Sequence, residues 1–282
     1  VVMNKIAQKS LISSLVIAVP YILVIFSPNI FMYAMFLLIV SIVIAWAYTF
    51  GVRFKLASLR EKLKFLILPL IFNIGAVYLT TIFFQDFVKI IIAAIVAIAN
   101  YFLWTSLAKV YNLTSRVALF HRNILIVISF MTVFLGSTTV FRLYMLFSTS
   151  KSIVYFQLLL TLLIFGLFYS ISSFLTRVNG ADEDVKKLRP YNVVNSLLGA
   201  EIAWVGSLWI INYPVIAIQE KANLGGTPLP AILLTIIFYF LWGIIFHKLD
   251  KSLTRRVLTE YIFVAILFIS VLLATARWLP TL

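Results

Sequence analysis

The sequence predicts an all-α polytopic integral membrane protein of about nine transmembrane helices, with its amino terminus cytoplasmic and its carboxyl terminus outside. Three observations carry this expectation. The chain is 63% hydrophobic and only 11% charged, whereas soluble domains carry roughly 25% charged residues. Its mean hydropathy is +1.10, so the solvent for most of it is lipid. Its apolar runs approach or exceed the length needed to cross a ~30 Å hydrocarbon core, and short gaps rich in Lys and Arg separate them. The longest polar stretch, 176–191, is too short to hold a core of its own. Residues 1–282 therefore read as one transmembrane helical domain, with 176–191 as its charged cytoplasmic loop.

The spans follow in order. Leu11–Phe26 is short and contains Pro20, which removes a backbone donor and favours a kink; a re-entrant path is the alternative to a full crossing. No small-residue cleavage site follows it, so it does not read as a removable signal. Ser27-Pro28-Asn29 makes a tight turn, and Ile30–Phe50 returns. Phe65–Phe84 and Phe87–Leu107 form a hairpin turning at Gln85-Asp86. Asn123–Phe141 and Ser152–Leu175 form the next. Asn192–Ile218, Pro230–Phe246 and Val257–Leu279 complete the count.

Orientation comes from the basic residues. Of the 23 Lys and Arg, all but Lys89, Arg142, Lys151, Lys221 and Arg277 fall on one side of this topology. Short loops obey the positive-inside rule, which makes that side cytoplasmic. The formal charge of +14 thus implies an anionic cytoplasmic leaflet as the partner surface, and not nucleic acid. The plasma membrane of a prokaryote is the expected location, and protein partners or a homo-oligomer stay open. A string of the form L-T-x-R-V recurs at Leu113–Val117 and Leu253–Val257, with a shorter version at Leu175–Val178, as a duplicated hairpin would leave it.

One residue stands out for chemistry. Glu201 lies inside the span Asn192–Ile218, about 13 Å along a helix at ~1.5 Å per residue, close to the bilayer midplane. A carboxylate there costs about 2.5–3.5 kcal/mol on insertion scales, so it is expected to face protein or water. Gly199, Ala200, Ala203, Gly206 and Ser207 would let neighbouring helices approach it. The same count puts Asn73, Asn100 and Ser129 at similar depth. Asn212 follows Glu201 by about three helical turns, on the same face. Together Glu201, Asn73, Asn100, Ser129 and Asn212 are the candidate ligand-binding residues, and an interhelical hydrogen-bond cluster is the structural alternative.

Other chemistries find little support. With no cysteine there are no disulfides, thiolate metal sites or cysteine nucleophiles. The aspartates Asp86, Asp182, Asp184 and Asp250 form no D-x-x-x-D pair for a divalent cation. Asp182-Glu183-Asp184 lacks the calcium-loop spacing and reads as a solvated turn beside Lys186, Lys187 and Arg189. His121 and His247 fall at the cytoplasmic interface without a zinc motif or a nucleophile elbow. Arg256 and Glu260 have the spacing of a surface pair. No cofactor or metal is expected. A permease-like protein binding a small solute, ion or lipid between helices is the first functional expectation; a non-catalytic membrane subunit or scaffold is the second, and an enzyme ranks third.

Overall fold

In hydrocarbon, backbone groups must be satisfied within the segment, which makes apolar runs of this length helical. The computed structural model describes residues 2–50, 59–81, 85–112, 118–147, 153–179, 182–212, 229–249 and 252–275. Among them are α1 (Val2–Phe26), α2 (Phe31–Phe50), α3 (Leu59–Thr80), α4 (Asp86–Asn112), α5 (Ala118–Phe147), α6 (Ile153–Asn179), α7 (Asp182–Asn212), α8 (Leu229–Leu249) and α9 (Arg255–Thr275). A single 3₁₀ turn, Pro28–Ile30, links α1 to α2 where the Ser-Pro-Asn turn was expected. The first L-T-x-R-V string, Leu113–Val117, lies outside the described residues.

Six of these helices contain stretches long and apolar enough to cross a membrane: Lys5–Phe26, Phe31–Thr49, Asp86–Val110, Phe120–Tyr144, Val154–Val178 and Pro230–Lys248. Phe65–Thr80 in α3 is apolar but shorter. The protein is all-helical over its described residues, with the helices of a membrane-integral chain.

Several helices outrun their expected spans, with α3 starting at Leu59, α4 reaching Asn112 and α5 covering Ala118–Phe147, and two differences go further. α1 begins well before Leu11 and runs through Pro20 without a break. Proline withholds only one donor, and Ile17, Tyr21, Val24 and Ile25 are all buried, at the spacing of a single helix face. That stripe packs on α2 and α4, which outweighs one lost hydrogen bond. The second difference is the stretch 176–191. Its described residues are helical: α6 continues to Asn179, and α7 begins at Asp182 and includes Pro190. Acidic residues in a first helical turn suit the helix dipole, so charge alone does not end a helix.

The described chain divides into two compact units, Val1–Thr132 and Val133–Leu282, with the boundary inside α5. In the first, α1 packs on α2 and α4, and α3 packs on α4. Ser13 Oγ lies 2.8 Å from Thr49 Oγ1 across the α1–α2 seam. In the second, α6 and α7 make the most extensive pairing, and α8 packs on α7, α6 and α9. Gly199 allows this approach, since a Cβ there would stand 2.6 Å from the Phe168 ring of α6. Phe168 in turn meets Phe238 of α8 edge-on at 5.0 Å. Tyr261 of α9 occupies the space above Gly243 of α8.

Candidate functional site

In the first unit, α3 packs on α4 and brings Asn73 and Asn100 together. Asn73 Nδ2 donates to Asn100 Oδ1 at 3.0 Å, and Asn100 Nδ2 donates back to Asn73 Oδ1 at 2.8 Å. Each amide spends its second hydrogen one turn back on its own helix, on the Pro69 carbonyl at 2.9 Å and the Val96 carbonyl at 3.0 Å. Both side chains are buried. All four amide hydrogens are committed, so the pair offers a ligand acceptors but no free donor. Its chemistry is that of an interhelical clasp.

Ser129 of α5 belongs to the same unit and is fully buried, and its Oγ has no hydrogen-bond partner among the described residues. Tyr21 of α1 was not singled out by sequence, yet it is buried with its hydroxyl 2.6 Å from Thr80 Oγ1. Thr80 donates its own hydrogen to the Ala76 carbonyl at 2.7 Å, so Tyr21 is the donor. The result ties α1 to α3.

Glu201 departs from its expected surroundings. Its side chain is exposed on α7, not enclosed by packed helices. The physical reason is azimuth. Buried positions on α7 run through Asn192, Asn195, Ser196, Gly199, Ala200, Ala203, Gly206 and Ser207, which includes the whole small-residue set. At 100° per residue, Glu201 points away from Gly199 and Ala203. It shares the outer face with Val194, Leu197, Leu198, Trp204 and Val205, all exposed. Asn212 ends α7, and its side chain lies outside the described residues. The five candidate residues are therefore divided: Asn73 and Asn100 meet, Ser129 is buried in their unit, and Glu201 belongs to the other unit. Comparison with protein-family models, with curated proteins and with solved structures found no match.

Two further polar clusters emerge that the residue-by-residue count missed. On the α6–α7 seam, Asn195 Nδ2 donates to Ser172 Oγ at 2.7 Å, and Thr176 Oγ1 lies 3.1 Å from Asn192 Oδ1. Their spacings, Ser172 with Thr176 and Asn192 with Asn195 and Ser196, mark one face of each helix and were legible in the sequence. In the first unit, His121 Nδ1 lies 3.1 Å from Ser106 Oγ. His121, expected at the interface, is only 7% exposed, and Ser106 is fully buried. A nucleophilic serine must meet its substrate carbonyl, and a serine closed off in this way works as a link between α4 and α5.

His247 is partly exposed and bonds Ser252 Oγ through Nδ1 at 2.8 Å. Lys248 hydrogen-bonds the Tyr191 hydroxyl and sits 4.0 Å over its ring, which joins the end of α8 to α7. Asp250 lies outside the described residues. Arg256 and Glu260 pair at 3.0 Å as their spacing predicts.

Proposed function

We propose that this chain is a non-catalytic membrane subunit that docks a partner protein through the outer face of α7, with Glu201 at the centre of the contact. The exposure of Glu201 among exposed apolar side chains carries the reading. Left against acyl chains, a carboxylate is expensive by about 2.5–3.5 kcal/mol. A partner helix presenting Lys, Arg or an amide donor removes that cost and gains a charge-assisted hydrogen bond. The occupant is a different protein and not a second copy. A two-fold contact centred on this residue would set Glu201 against Glu201, like charge on like.

The permease reading gains less support. Asn73 and Asn100 commit all four amide hydrogens to each other and to their own helices, and Glu201 is exposed on α7. Its remaining support is an apolar groove in the first unit that reaches Asn100.

The absence of native cysteine makes the test direct. Photo-crosslinking groups placed at 197 and 204 flank Glu201, and one at Phe36, exposed on α2, serves as the lipid-facing control. The docking reading predicts that 197 and 204 capture one protein that Phe36 does not, and that Glu201→Leu abolishes the capture. Equal, lipid-only labelling at all three positions contradicts it. So does a cysteine at 201 that reacts with a water-soluble reagent from one side of the membrane, as a permeation path would allow.

A further inference from the structure

The groove between α1 and α4 has a volume of about 320 Å³. Ile22 and Phe26 of α1 line it together with Ala93, Ala97 and Asn100 of α4. From Ile90 to Asn100 the helix rises about 15 Å at ~1.5 Å per residue. That is half of a ~30 Å hydrocarbon core, or one leaflet. An α-helix ~10 Å across is wider than a slot of this length and volume can enclose. A polymethylene chain, whose carbons touch neighbours at ~3.5–4.0 Å, fits.

The rim of the groove carries charge. Lys89 Nζ lies 5.7 Å from the centroid of the Phe26 ring that lines the groove, and 3.1 Å from Asp86 Oδ1. The lysine side chain is 17% exposed and the aspartate 72%. Lysine has three donors, of which Asp86 takes one, so both partners can also be engaged by a ligand. Together they present one positive and one negative group at the mouth of an apolar slot.

The geometry points to a bound phospholipid with an amine-bearing zwitterionic headgroup. One acyl chain lies in the α1–α4 groove, the phosphate meets Lys89, and the ammonium meets Asp86. A purely anionic headgroup would satisfy Lys89 but face the Asp86 carboxylate. A quaternary ammonium would bring charge without the N–H donors that Asp86 accepts. All of these residues lie in the first unit, so the inference does not depend on docking at Glu201.

The test uses the full-length chain in detergent. It is titrated with phosphatidylethanolamine, phosphatidylcholine and phosphatidylglycerol of identical acyl chains, and retained lipid is counted by native mass spectrometry. One phosphatidylethanolamine per chain is expected, retained in preference to the other two. Ala97→Phe fills the groove and should abolish retention of all three. Lys89→Gln, at the rim where folding is not at risk, should weaken phosphatidylethanolamine about tenfold, the loss of one charge-assisted hydrogen bond. Glu201→Leu should leave retention unchanged. Equal or tighter retention of phosphatidylglycerol or phosphatidylcholine overturns the headgroup assignment. Wild-type retention by Ala97→Phe overturns the groove.

Discussion

Asn100 and Glu201 are polar residues in apolar helices, and both lie well inside their spans by sequence count. Their fates are opposite. Asn100 turns inward in the first unit and finds Asn73, with every amide hydrogen committed. Glu201 turns outward in the second, on a face of Leu, Val and Trp. Distance from a helix end sets how deep a residue lies, and it says nothing of which way the residue points. The inward pair ties α3 to α4, while the outward residue stands among exposed apolar side chains.

This contrast sorts substitutions by size of effect. Asn100→Ala should be the most damaging, because it strands the buried Asn73 amide, at about 1–3 kcal/mol. Replacing both by Leu removes the stranded group and should recover much of that loss. Thermal unfolding in detergent compares the two; equal damage from the single and double changes would break the clasp interpretation. Tyr21→Phe deletes one interhelical hydrogen bond and should lower stability by ~0.6 kcal/mol, the typical value within membranes.

Glu201→Leu should change the folding stability of the isolated chain by less than ~0.5 kcal/mol, because the carboxylate meets the same apolar surroundings in separated helices as in the folded chain. A loss as large as that of Asn100→Ala would mean the carboxylate is a buried structural group. Smallest of all, Arg256→Gln should cost ~0.2–0.5 kcal/mol through the pair with Glu260, and added salt should shrink the difference.

Much of the helical layout was legible in the sequence, because hydropathy locates an apolar run whatever it packs against. The turn after Phe26 and the break at Gln85-Asp86 were legible too, since proline and polar residues act locally. The facing of Glu201 was harder to read. Leu197, Leu198, Trp204 and Val205 on the outer face of α7 are as apolar as a core, so polarity does not separate inside from outside in lipid. Size does: Gly199, Ala203 and Gly206 lie inward, where α6 and α8 approach closely. Glu201 stands on the opposite side from that small-residue stripe, and counting residues in steps of 100° would have shown it. Helix at 176–179 and 182–191 was not legible, because a charged segment can extend a helix beyond the apolar region and charge by itself does not separate helix from loop.

The most direct measurement of this contrast places spin labels, one at a time, at residues 201 and 203 of the chain in lipid nanodiscs without any partner. These positions lie two residues apart on opposite faces of α7, with Ala203 fully buried. Collision with lipid-dissolved oxygen reports exposure to the bilayer. The account predicts frequent collisions at 201 and strong shielding at 203. Equal shielding at the two positions would place residue 201 inside the bundle and contradict it.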